Sequence, residues 1–145
     1  MKAVIQRVLE SKVRIAGKPI ASIGLGLVIL LGVENGDDEK KADALAKKCA
    51  NLRIFADEQK KMNLSIVDVQ GEAIVVSQFT LLADTRKGNR PSFVNAAAPD
   101  IARLLVNYFC AALEKQGVTT QSGEFGAHML VDIQNDGPVT ICLEA

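Results

Sequence analysis

Residues 74–82, Ile74-Val75-Val76-Ser77-Gln78-Phe79-Thr80-Leu81-Leu82, open as a short apolar run rich in β-branched side chains, which is what a strand covered on both faces needs. Three hydrogen-bonding side chains then interrupt the run. On an extended strand Gln78 and Thr80 face one way while Ser77 and Phe79 face the other. Polar groups held there must find partners or cost about 1–3 kcal/mol each, and a strand end opening into a pocket lets a ligand be that partner. The loop that follows, Ala83 to Phe93, carries Arg86, Lys87 and Arg90 against the single acid Asp84, with Gly88 and Pro91 as turn residues. The two segments together describe a small polar pocket with an anion-attracting lip, and Arg86, Lys87 and Arg90 are its candidate anion contacts. Ordinary side-chain hydrogen bonds on a strand leading into a solvated loop fit this segment taken alone equally well.

A chain of 145 residues that is 48% apolar is expected to form a single compact domain spanning 1–145. Seventeen basic and seventeen acidic residues leave no global charge to attract nucleic acid, so any RNA contact must be local and DNA is not an expected partner. Cys49, Cys110 and Cys142 are odd in number and lie in apolar surroundings, which fits reduced buried thiols better than a disulfide framework. With His128 as the one histidine and no ligand-spaced cysteine pair, neither a metal site nor a cofactor is expected. The N-terminus reads directly into Val4-Ile5-Gln6-Arg7-Val8 rather than into a signal peptide, and the longest apolar run, Leu27 to Leu31, is too short to span a bilayer. A cytoplasmic location without membrane contact is the expectation.

Residues 2–15 alternate as a strand pair or as one long bent strand. Within them Arg7 is either an exposed strand arginine or an inward guanidinium bracing backbone carbonyls. Leu27 to Val33 reads as a central strand, apolar on both faces. Asp37 is a candidate N-cap for an amphipathic helix with Ala42, Leu45, Ala46, Cys49 and Leu52 on one face and lysines on the other. Arg53-Ile54-Phe55 and Ser65 to Val69 are short strand candidates. A second helix is predicted over roughly 99–115, with Pro99 at its start and Gly117 just past its end. Val118 to Phe125 reads as a strand, and residues 129–133 and 139–143 read as a hairpin closing around Asn135-Asp136-Gly137-Pro138. Many strands with two amphipathic helices indicate an α+β domain with a mainly antiparallel sheet.

Proline between a turn glycine and a strand withholds a ladder donor where a hairpin needs it. A cis Gly137-Pro138 bond would account for it, although an ordinary trans turn suits the isolated dipeptide better. Ser77-Gln78-Phe79-Thr80-Leu81, Asn135-Asp136-Gly137-Pro138-Val139-Thr140 and the opening Met1-Lys2-Ala3-Val4-Ile5-Gln6-Arg7-Val8 together resemble the signatures of the D-aminoacyl-tRNA deacylase family. The resemblance covers the whole chain, including Gly88-Asn89-Arg90-Pro91-Ser92-Phe93. It implies a homodimer with active sites at the interface, in which a cis Gly137-Pro138 element enters the partner's pocket and faces Ser77, Gln78, Phe79 and Thr80. It also implies that Arg7 supports that element and that Met129 lines the site. The substrate would be the 3′ aminoacyl-adenosine end of a tRNA, its ester hydrolysed when the amino acid is D or glycine.

His128 has no acid beside it in sequence, so a triad around a serine or threonine nucleophile has little support. Backbone N–H groups near Phe79 are candidates to stabilise an oxyanion, with Thr80 in a positioning role and the terminal ribose 2′-OH or a water supplying the proton chemistry. Rigid carbonyls that capture the α-amino group would drive an L side chain into the wall and leave glycine unopposed. Phe93 or Phe125 offers a stacking face for the unpaired terminal base, although either also suits a core. The competing reading is a non-catalytic RNA-binding or editing-domain-like dimeric module.

Overall fold

In the computed structural model, which describes residues 1–145, the chain runs through β1 (Lys2–Ile15), β2 (Lys18–Ile23), β3 (Gly26–Gly32), α1 (Glu39–Ala50), β4 (Phe55–Ala56), β5 (Met62–Leu64), β6 (Glu72–Ser77), a 3₁₀ turn (Phe79–Leu82), α2 (Pro99–Lys115), β7 (Thr119–Ser122) and β8 (Leu130–Glu144). Six strands form one sheet in the order β2-β1-β3-β6-β7, with β8 added on β1. β1 pairs antiparallel with β2, β3 and β8, whereas β3 with β6 and β6 with β7 are parallel. The α+β class with two amphipathic helices is as expected, and the sheet is mixed. Its parallel pairs follow from connectivity, because α1 lies between β3 and β6 and α2 between β6 and β7, and parallel neighbours need such long crossovers.

Period-two alternation distributes the apolar side chains to two cores. Leu27, Ile29 and Leu31 of β3, with Ala73 and Val75 of β6, face the helices and join Leu45, Cys49, Phe109 and Leu113 in a cluster of 24 buried residues. Val28, Ile74 and Val76 point the other way and meet Val8, Val13, Ala21 and Ile23 in a second cluster of seven. The sheet curls around this second cluster until its ends nearly meet. There Gln121 of β7 accepts from Ser22 N–H at 2.9 Å and donates to Ser22 O at 2.7 Å, so one side-chain amide bridges the gap between the edge strands. Each fully buried Leu, Ile or Phe contributes about 1.5–3 kcal/mol relative to exposure, so the larger cluster fixes the helices firmly on the sheet.

Several local expectations change. Asp38, not Asp37, caps α1, accepting from Lys41 N–H at 2.9 Å. The Asp37 side chain is instead shielded from solvent against the Met1 ammonium at 2.8 Å, with Glu34 N–H at 2.6 Å and Lys41 Nζ at 2.9 Å. Residues 65–69 form a turn rather than a strand, because the Asp68 carboxylate takes both Ser65 N–H (2.8 Å) and Ser65 Oγ (2.7 Å), a local bond that competes with extension. Their neighbours Phe55–Ala56 and Met62–Leu64 pair instead. The predicted strand over 118–125 shortens to Thr119–Ser122. The predicted hairpin at 129–143 is one strand, with β8 pairing along β1 from Lys2↔Glu144 to Arg14↔Leu130 and breaking register on either side of the Val8↔Asn135 pair, so that residues 136–139 are absorbed as a register shift. Two halves of one strand alternate just as two hairpin arms do, so the pattern alone does not separate them. Residues 2–15 are likewise one long strand.

Candidate active site

A cavity of about 740 Å³ opens where the three parallel strands end. Val33 lies just past β3, Ser77 ends β6 with Gln78 and Phe79 directly after it, and the segment Phe125 to Met129 follows β7. Phe93, residues 96–98 and the first turn of α2 close the remaining side. Ligands commonly bind beyond the carboxyl ends of parallel strands, where successive connections diverge and leave a crevice.

The strand expected to continue through Leu82 stops at Ser77. Gln78 N–H still donates to Leu31 O at 2.8 Å, after which Phe79–Leu82 wind into the 3₁₀ turn, pinned by the buried Leu82. Gln78 and Thr80 therefore do not alternate on a strand; the Gln78 amide Nε2 donates to Thr80 Oγ1 across the turn. Gln78 provides no side-chain cap, so the leading N–H groups of the turn, at Phe79 and Thr80, meet neither a cap nor an intrahelical acceptor. Ser77, Gln78 and Phe79 line the cavity, whereas Thr80 sits behind them, exposed on the turn. The Phe79 ring, 55% exposed, meets Phe93 edge to face with centroids 4.9 Å apart. Met129 lines the wall opposite, beside Val131. Phe125 and His128 also line the cavity, and the Arg103 guanidinium lies 5.3 Å from the Phe125 ring centroid. The only ionisable side chain in the lining is that of His128, so the cavity holds no carboxylate to complete a triad.

Arg7, Gly137 and Pro138 form a separate constellation outside this chain's cavity. The Gly137-Pro138 bond is cis, and Gly137 has φ +114°. Arg7 is an inward brace rather than an exposed strand residue. Its Nη1 donates to Ile54 O at 2.5 Å, and its Nε forms an ion pair with Asp136 Oδ2 at 2.8 Å, off the direction of a hydrogen bond. Asn135 Nδ2 donates to Arg7 O at 2.9 Å and to Val139 O at 3.2 Å, bridging the residues on either side of the dipeptide. A Cβ at Gly137 would stand 2.9 Å from Val139 Cγ2 and 3.1 Å from Arg7 Nη2, so conformation and space both require glycine there. Asn135, Asp136 and Ile54 thus hold this element, roles the sequence reading did not assign. An asparagine two residues before a Gly-Pro pair was the available signal for Asn135. Ile54 contributes a backbone carbonyl and left none.

The basic loop is closed by a two-way backbone bridge between Asp84 and Ser92, at 2.8 and 2.9 Å. Arg86 forks onto Asp84, Nε to Oδ1 at 2.9 Å and Nη2 to Oδ2 at 2.6 Å, and this contact brings the Asp84 carboxyl down to about 2. Lys87 and Arg90 are exposed and make no ion pair within the chain, so the three cations expected to act alike divide into one engaged and two free.

Residues 4–144 match the family model described as D-Tyr-tRNA(Tyr) deacylase. Among curated relatives, the D-aminoacyl-tRNA deacylase of Roseiflexus castenholzii is 56% identical over 145 residues, covering 100% of this chain and 92% of that protein. The D-aminoacyl-tRNA deacylase of Idiomarina loihiensis is 54% identical over 144 residues, covering 99% of each. A solved chain described as a c-Myc DNA Unwinding Element Binding Protein superposes with a TM-score of 0.94 at 43% identity, covering 100% of this chain and 99% of its own. A probable eukaryotic D-amino acid tRNA deacylase superposes with a TM-score of 0.82 at 16% identity, over 98% of this chain and 97% of that one, a likeness of fold. The family model spans nearly the whole chain and the curated relatives exceed half identity from end to end, so this chain belongs to the D-Tyr-tRNA(Tyr) deacylase family of hydrolases.

Proposed function

We propose that the chain hydrolyses the ester of D-aminoacyl-tRNA, releasing the free amino acid and the tRNA, and that it acts on glycine mischarged on tRNA-Ala as well. The observation that carries this reading is the wall at the end of β6, where Phe79, with its uncapped N–H at the start of the 3₁₀ turn, lines a cavity without carboxylates. An aminoacyl ester is already activated, so a site that offers donors to the developing oxyanion needs no triad, and each such donor is worth about 2.7–4 kcal/mol in other hydrolases. Phe79 N–H supplies that donor, Ser77, Gln78 and Thr80 position the ester, and the ribose 2′-OH or a water carries the proton.

The Gly137-Pro138 element completes the site of a second copy in a homodimer. Its carbonyls receive the α-amino group, Arg7 holds it in place and Met129 lines the pocket, so that an L side chain meets the wall and is rejected. Lys87 and Arg90, with Arg86, meet the phosphates of the tRNA end, and Phe79 and Phe93 give the terminal base a stacking face.

Incubation with D-tyrosyl-tRNA and with its L counterpart tests the reading. Cleavage of the D ester alone is expected, and cleavage of both would mean a general esterase. A nucleic-acid-binding module without turnover is the second reading, favoured by the description of the 43% identical solved chain; retention of tRNA with neither ester cleaved would establish it.

A further inference from the structure

Gly123 follows β7 directly and donates its N–H to Val75 O at 2.9 Å, prolonging the parallel pairing with β6. It is not among the glycines with positive φ, so its backbone would suit any L residue. Space excludes a side chain there. A Cβ would stand 2.6 Å from Met129 Sδ and 3.3 Å from Met129 Cε, with Val76 Cγ2 at 3.8 Å. Met129 thus lies across the bare α-carbon, packs against the cluster containing Val8, Ile74 and Val76, and presents its remaining side to the cavity.

We propose that Gly123 is a positioning residue acting through Met129: its missing side chain is the seat of the thioether, and that seat keeps the cavity open. The inference rests on the cavity being the aminoacyl-tRNA site. A methyl group at 123 must push the sulfur back by roughly 1 Å to reach ordinary van der Waals separation. Val76 and its cluster block retreat into the barrel, and the cavity is the open side. An unbranched thioether yields more cheaply than backbone, so the chain still folds. Gly26 shows the contrasting case, since a Cβ there would lie 1.8 Å from the backbone oxygen of Glu72, which cannot step aside.

The test compares wild type, Gly123→Ala, Met129→Ala and the double variant, by thermal unfolding and by steady-state hydrolysis of D-tyrosyl-tRNA. Gly123→Ala is expected to keep its unfolding temperature and to lose about tenfold in kcat/KM, the loss falling on KM because an occluded cavity loses binding common to ground and transition states. In the Met129→Ala background the same glycine change is expected to alter kcat/KM by less than about twofold, since the group it displaces has gone. An equal loss in both backgrounds would overturn the inference, as would no loss in either. A Gly123→Ala chain that fails to fold would also overturn it, because the thioether would then not be the partner that gives way. Wild type that cleaves neither ester would defeat the reading beneath the inference and the inference with it; active wild type without the Met129 dependence would defeat the inference alone.

Discussion

The wall at the end of β6 and the Gly137-Pro138 element of β8 are two polar constellations finished in opposite ways. The wall is left open, with N–H groups that no cap satisfies and an aromatic ring more than half exposed at the cavity mouth. The β8 element is tied down by its own chain, through Arg7, Asp136, Asn135 and the carbonyl of Ile54. Unpaired donors beside a cavity are free to meet a ligand, whereas the β8 element directs its polar contacts to its own chain. On the function proposed above, the contrast teaches that one part receives and the other is delivered by a second copy.

The strongest way to break that contrast is to remove a donor from the wall. Phe79→Pro deletes one N–H at the first position of the turn, where proline is tolerated, and Phe79→Ala controls for the lost ring. The proline variant should turn over D-tyrosyl-tRNA about 10²–10³-fold more slowly than the alanine variant, and equal rates would remove Phe79 N–H from the chemistry.

Arg7→Ala attacks the delivered part. It strips the ion pair with Asp136 and the bond to Ile54 O, so stability should fall by about 1.5–3 kcal/mol in urea titration, with activity reduced but less than in Phe79→Pro. Mixed dimers of the two variants sharpen the point. Shared sites would put both lesions in one pocket and leave the other intact, restoring turnover; verified chain exchange without recovery would mean each chain works alone.

The basic loop gives a smaller effect. Lys87→Ala and Arg90→Ala should each lower the slope of log binding against log salt by about 0.7 per lost phosphate contact, and Arg86→Ala by less, because Asp84 already holds Arg86. A fluorescence titration of tRNA at several salt concentrations reads the slopes.

The smallest expected effect comes from a carboxylate that belongs to neither constellation. Burial alone raises the Asp37 carboxyl, but the Met1 ammonium, the Glu34 N–H and Lys41 outweigh it and hold the carboxyl below its ordinary value. A depressed folded pKa stabilises the fold above the unfolded value, and that contribution fades as pH falls through about 4 and below. Thermal unfolding should show Asp37→Asn with a shallower loss of stability on acidification than wild type.

Much of this was legible in sequence because apolar spacing reports burial directly. The period of α1 and the Pro99 and Gly117 punctuation of α2 fall where the structure has them. Harder to read was everything decided by partners distant in sequence. Whether 129–143 folds back or runs on depends on β1, more than 110 positions away, since alternation is the same either way. Asp37 looked like a cap because acids precede the helix, while its burial depends on the Met1 ammonium. The end of β6 read as strand because its residue types suit one, and the turn there is fixed by where Leu82 packs. Gly123 left no trace at all, since the reason for a glycine at 123 is the sulfur at 129.

The cavity lies beyond three strand ends at one pole of the sheet, so most of its lining is carried on connections rather than on the ladder itself. Those connections can change length and composition over evolutionary time without disturbing strand register or either core. A scaffold arranged this way separates what must be inherited from what can be retuned, leaving room for relatives of one shape to diverge in the molecules they handle.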